Sequence, residues 1–175
     1  MKSLHLNFRK ATFNDADSIW NLLQQAILRR KMDGSQQWQE GYPNLQTVKS
    51  DIEKEVGYVL ADDEKVVGYA AVIFNDEPAY ETIDGKWLSD GEFAVVHRVA
   101  VSDDYLGKGL AKQIFLFIEK LVETNGISSI KVDTNFDNPA MLHIFEKLGY
   151  SFCGKVLLRG NERLAFEKLL ISRNN

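Results

Sequence analysis

The chain has 175 residues, 45% of them hydrophobic, with a net charge of −4, three histidines and one cysteine. That length reads as one domain over residues 1–175, able to bury about 70% of its unfolded surface; the acidic balance excludes a general nucleic-acid binder, and the lone cysteine excludes an internal disulfide and fits a reducing compartment. The opening MKSLHLNFRK has no apolar run of signal-peptide length and nothing further on approaches a membrane span, so the expectation is a cytoplasmic chain without nucleic-acid or membrane partners.

Leu4, Leu6 and Phe8 alternate with polar neighbours and predict a first strand. Asn14 is a good N-cap for a helix whose buried face is Ile19, Leu22, Leu23, Ala26 and Ile27 and whose end is the basic Arg29-Arg30-Lys31. A second helix is predicted over Leu45–Glu55, then two strands, Gly57–Ala61 and Val66–Phe74, joined by the turn Asp62-Asp63-Glu64-Lys65. Phe93–Val101 reads as a strand, and Leu110, Ile114, Phe117, Ile118 and Leu121 mark one face of the helix after it. Strand Ser129–Thr134, helix Ala140–Lys147 and strands Phe152–Leu158 and Arg163–Leu169 follow, the last two turning at Gly160-Asn161. This order predicts an α/β or α+β layer fold, a mixed sheet covered by helices.

Between Val101 and the helix at Leu110 lies Leu106-Gly107-Lys108-Gly109-Leu110-Ala111. The first turn of a helix carries backbone N–H groups without intrahelical partners, and glycines let a phosphate approach them. A nucleotide P-loop would place Lys-Ser/Thr after the last glycine, and a dinucleotide fingerprint would place Gly or Ala where this chain has Lys112; neither motif is present.

The loop resembles the acyl-CoA pyrophosphate loop of the GNAT superfamily of N-acetyltransferases, Gln/Arg-x-x-Gly-x-Gly/Ala. Gly109 and Ala111 match it, while Leu106 stands where the family has Gln or Arg. A later stretch, Asn138-Pro139-Ala140-Met141-Leu142-His143-Ile144-Phe145-Glu146-Lys147-Leu148-Gly149-Tyr150, is similar to the family's second motif. The resemblance covers nearly the whole chain. It implies a mixed, mostly antiparallel central sheet with helices on both faces and a splayed parallel strand pair, here Phe93–Val101 and Ser129–Thr134, with the pantetheine arm of acetyl-CoA against the backbone of Val99, Ala100 and Val101. It further implies cofactor contacts from Leu106, Gly107, Lys108, Gly109, Leu110 and Ala111, from Asn138, which reads equally as a helix N-cap, and from the position of Phe145. No metal is implied, and a homodimer is left open.

Acetyl transfer from a thioester needs a neutral amine, and an amine with pKa near 10.4 spends about 4.6 kcal/mol to be neutral at pH 7. The family draws a base from the fourth strand, which points to His97 and Glu92; a histidine titrates near operating pH, although His97 among valines also reads as a satisfied buried residue. The family's usual general acid is a Tyr at the position of Phe145, which has no proton to give, and Tyr105 and Tyr150 do not match that position. Trp38 and Tyr42 either wall an acceptor site or cap the core, Thr134 is a further acceptor contact, and Cys153 reads as a small core residue. Residues 75–92 carry six acidic groups against Lys86, which either attract a cationic small-molecule or peptide amine or form a solvated loop. The expected activity is acetyl-CoA-dependent N-acetylation of a primary amine; the alternative is an acyl-CoA-binding regulatory module without turnover, favoured by Phe145.

Overall fold

A computed structural model describes residues 2–171. Among the described residues, eight strands and four α-helices give the expected mixed, mostly antiparallel α/β architecture, and these residues divide into two compact units.

The first unit holds residues up to Val72 and residues 98–115. Strand β1 (Leu6–Lys10) runs antiparallel to β2 (Gly57–Asp62), and β2 to β3 (Lys65–Phe74). Asp62 faces Lys65, so the turn is the pair Asp63-Glu64, with Asp63 at φ 52°. Helix α1 covers Ala16–Met32 rather than starting beside Asn14. Asp15 is the reason: its carboxylate accepts the Thr12 N–H at 2.8 Å and two bonds from Arg9 at 2.8 and 3.0 Å, closing a short 3-10 turn first. Helix α2 (Leu45–Glu53) is capped by Asn44, whose side chain accepts the Thr47 N–H at 3.0 Å. It stops two residues before the predicted Glu55, because Glu55 turns left-handed at φ 57°. Ile19, Leu22, Leu23 and Ala26 of α1 meet Val48 and Ile52 of α2 over Val59, Tyr69 and Ala100, each large aliphatic contributing about 1.5–3 kcal/mol through burial.

The second unit holds residues 73–97 and those from Leu116 on. Strand β5 (Ala94–Val101) enters it through Ala94–His97 and pairs in parallel with β6 (Ser129–Thr134), from Ala94 opposite Ile130 to Val96 opposite Val132. Beyond β6 lie β8 (Asn161–Leu169), β7 (Ser151–Leu158) and the two-residue β4 (Asp84–Gly85), all antiparallel to their neighbours. Leu158 faces Asn161, so the hairpin turns at Arg159-Gly160, φ 49° and 75°, one residue earlier than predicted. Helix α3 (Leu110–Thr124) contributes its later turns, and α4 (Pro139–Leu148) starts one residue before the predicted Ala140.

Ser129, Lys131 and Asp133 of β6 share one face of this unit, alternating with Ile130, Val132 and Thr134. The acidic segment 75–92 is fastened onto that polar face. Fully buried Glu167 accepts the Leu88 N–H at 2.5 Å and the hydroxyls of Ser89 and Ser129 at 2.5 and 2.7 Å. The Lys131 ammonium lies 4.6 Å from the Trp87 ring and 4.3 Å from the Phe93 ring, a contact that partly offsets desolvation; burial nevertheless lowers its pKa. The segment's acidic side chains Asp76, Glu81, Asp84, Asp90 and Glu92 stay exposed while its backbone is tied down.

Candidate active site

The glycine loop belongs to the first unit and is held from behind. Arg29 of α1 pairs with Asp103 and donates to the Val101 carbonyl at 2.9 Å, and Gln25 accepts the Asp103 N–H at 2.8 Å. Tyr105 donates to Asp62 at 3.0 Å, and the ammonium of Lys108 stands 4.8 Å from its ring centre. Gly107 and Gly109 both adopt left-handed backbone, φ 75° and 74°, and a Cβ on either would meet nothing within 4 Å. Their role is therefore conformational: φ near +75° is open to glycine and strained for most L-residues. Helix α3 begins at Leu110, directly after Gly109, with no acidic residue in its first turn. Exposed backbone, an open surface and a helix start free of negative charge fit a pyrophosphate.

In the same unit, Arg98 takes φ 56° within β5 and turns its guanidinium into a buried network. Nε donates to Asp51 Oδ2 at 2.9 Å, Nη2 to Asp51 Oδ1 at 2.7 Å and Nη1 to the Tyr42 hydroxyl at 2.6 Å, while Tyr69 donates to Asp51 at 2.5 Å. Burial works against the charge, yet the neighbouring Tyr42 and Asp51 hold the Arg98 pKa above its ordinary value; burial raises that of Tyr69. Tyr42 is thus fixed through its hydroxyl, and Trp38, at φ 64°, packs partly buried against the α1–α2 core.

In the second unit His97 is 14% exposed and lies between two carboxylates. Its Nε2 is 2.7 Å from Glu77 Oε2, and Nδ1 is 3.8 Å from Asp133 Oδ2, which accepts the Tyr80 hydroxyl at 2.5 Å. The Tyr80 ring meets the imidazole edge-on at 6.2 Å. The hydrogen bond with His97 outweighs burial and holds the Glu77 pKa below the usual carboxylate range. This pairing contributes stability above the ordinary carboxylate pKa and loses it as pH falls through the lowered folded value. Glu92 is not part of this group: it is exposed, two residues ahead of β5, with its carboxylate 3.5 Å from the Asn75 amide.

Asn138 is the N-cap of α4, accepting the Met141 N–H at 3.2 Å. Phe145 is buried against Phe166 and Tyr150 at 5.1 and 5.4 Å, Thr134 is buried at the end of β6 opposite Leu164, and Cys153 is a buried residue of β7. Burial raises the Tyr150 phenol well above its ordinary value. Among the described residues, no group of three or more His, Cys, Asp or Glu side chains could hold a metal ion.

Glu77, Tyr80 and Asp133 around His97, and the pairing of Asp51 with Arg98, went unread in the sequence. A signal existed for the first group in the strict alternation of SIKVDT, which puts Ser129, Lys131 and Asp133 on a polar face that needs polar covers. The second group carried none, since 47 positions separate Asp51 from Arg98.

A mixed sheet with one parallel strand pair and a glycine loop opening a helix defines a GNAT-type acetyltransferase, and the chain belongs to that family: the Acetyltransferase (GNAT) family profile matches residues 18–150. It is an acetyltransferase. A GNAT-family acetyltransferase structure from Streptococcus agalactiae 2603 is 36% identical, with a TM-score of 0.87 over 97% of this chain and 99% of that one. The uncharacterized N-acetyltransferase YesJ of Bacillus subtilis is 29% identical over 149 residues, 82% of this chain and 81% of YesJ. The fold is also shared, at 14% identity and a TM-score of 0.67 over 95% of this chain and 99% of that one, by a chain of the NatC complex bound to Gag peptide and CoA.

Proposed function

We propose that residues 1–175 form one acetyltransferase domain that moves the acetyl group of acetyl-CoA directly to a primary amine. The left-handed pair Gly107 and Gly109, opening α3 directly after β5, carries this reading. The backbone from Leu106 to Ala111 takes the pyrophosphate, with Lys108 at its edge, Val99–Val101 lie along the pantetheine arm, and Asn138 and Phe145 are further cofactor contacts. A cytoplasmic location remains the reading of the composition.

His97 is assigned the base. It takes a proton from the acceptor's ammonium; the neutral amine then attacks the thioester carbonyl, the C–N bond forms and the C–S bond breaks. The nitrogen's second proton passes to the departing thiolate to give the thiol, with no dedicated acid at Phe145, because a thiol pKa near 8.5 makes the thiolate a tolerable leaving group. Glu92 is the second candidate base. His97→Ala is expected to lower kcat/KM about 10²-fold at pH 7 and to regain rate as the pH rises and the acceptor deprotonates unaided; Glu92→Gln is compared over the same range, and near-normal rates in both variants from pH 6 to 9 place the base elsewhere.

The acceptor is a small primary amine or an exposed peptide amine that arrives as a cation. The exposed acidic side chains of residues 75–92 raise its local concentration, while Trp38, Tyr42 and Thr134 supply contacts to its body. Exposed charges are screened over about 8 Å at physiological ionic strength, so added salt is expected to raise the acceptor KM and leave that of acetyl-CoA less changed. Neutralising Asp84, Asp90 and Glu92 together flattens the response; an efficient neutral or anionic acceptor, indifferent to salt, contradicts this assignment.

A further inference from the structure

Glu77 holds two hydrogen bonds at once. One carboxylate oxygen meets His97 Nε2 at 2.7 Å, and the other accepts the Ala79 N–H at 3.4 Å, where Glu77 caps the short turn Pro78–Tyr80. That turn is fixed in its own right, since Tyr80 is 2% exposed, donates to Asp133 and receives the Trp87 indole N–H on its carbonyl at 2.8 Å. The carboxylate is therefore presented to the imidazole by a stiff piece of chain.

We propose that Glu77 is the positioning residue of the acetyl-transfer reaction: it holds the His97 N–H on Nε2 and so leaves the Nδ1 lone pair to accept the acceptor's proton. A neutral imidazole carries one N–H, and an ionised carboxylate can only accept, so the short contact puts that N–H on Nε2. Nδ1 cannot be satisfied by Asp133, which is also an acceptor, stands 3.8 Å away and already takes the Tyr80 hydroxyl. When Nδ1 gains the proton, the imidazolium lies between the carboxylates of Glu77 and Asp133. The charged and titratable groups bearing on this pair are Glu77 and Tyr80 from the covering segment, Asp133 from β6, and Arg159 and Arg163, which act on Glu77 and Tyr80 respectively. The inference rests on His97 being the base.

The test is Glu77→Gln, which keeps the shape but removes the charge and can offer an N–H₂ to Nε2. Ring ¹⁵N spectra of the full chain are expected to show the Nε2–H form of His97 at neutral pH and a shift toward the Nδ1–H form in the variant. With an active amine, kcat is expected to fall about 10- to 10³-fold, the pH profile of kcat/KM to change, and the KM for acetyl-CoA to stay within about twofold. Glu77→Asp, which restores the charge, recovers part of the rate. An unchanged ¹⁵N pattern and pH profile in Glu77→Gln overturn the positioning role even if His97→Ala is inactive. Full activity of His97→Ala overturns the base assignment instead, and the ¹⁵N pattern still decides which nitrogen Glu77 holds.

Discussion

Asp51→Ala is expected to lower the unfolding free energy by about 3–5 kcal/mol, the cost of leaving a buried charge without its partner. Asp51 and Arg98 are 7% and 10% exposed, joined by two hydrogen bonds, and the same carboxylate receives the Tyr69 hydroxyl. Small domains are stable by about 5–15 kcal/mol in all, so urea denaturation should show a large drop in midpoint. Arg98 holds a left-handed backbone within β5, a strain of about 1–3 kcal/mol that the fork to Asp51 and Tyr42 sustains. Combining Asp51→Leu, Arg98→Met and Tyr69→Phe removes both buried charges and the Tyr69 hydroxyl, leaving that of half-buried Tyr42, and is expected to destabilise less than Asp51→Ala alone. A loss below about 1 kcal/mol for the single variant would show that the pair is solvated and does not anchor this strand.

Gly109→Val is expected to weaken acetyl-CoA binding about 10²-fold or more while the unliganded protein stays folded. A Cβ at this position meets nothing within 4 Å, but a β-branched residue does not hold φ near +74°. The backbone turns away and the amides at the start of α3 lose their aim. In the wild-type chain, ligand at a hundred times its dissociation constant adds about 2.7 kcal/mol, a rise of roughly 5–10 °C in melting temperature at this size. In Gly109→Val that rise should vanish at the same concentration. A variant protected as well as wild type would remove the loop from the account of cofactor binding.

Most of the architecture was legible because each element carries a local signal. Strand β6 was read to its observed ends, Ser129 and Thr134, and α3 was recognised as a helix from the apolar spacing of Leu110, Ile114, Phe117, Ile118 and Leu121. The misread ends have local causes too weak to see in a pattern: the Thr12–Asp15 turn, the left-handed Glu55 and the Arg159-Gly160 turn. Strand β4 is only two residues long and has no period to detect. The site divides in the same way. The glycine loop is contiguous and the chemistry proposed for it is backbone chemistry, so spacing exposes it. His97 could be picked out as a titrating side chain on β5, but its partners come from residues 20 and 36 positions away. Only the packing of the acidic segment onto β6 brings them together. That segment was read as charge alone, and the fold gives it a second role as the cover that carries Glu77 and Tyr80.

The most direct test of acetyl-CoA-dependent amine acetylation is mass spectrometry of a panel of primary amines and peptides incubated with acetyl-CoA and the full chain, with thiol release followed in parallel. The account predicts at least one cationic amine gaining a single acetyl group in step with the CoA released, about 10²-fold more slowly with His97→Ala at neutral pH. Tight acetyl-CoA binding with no acetylated amine and no thiol release across the panel would contradict it.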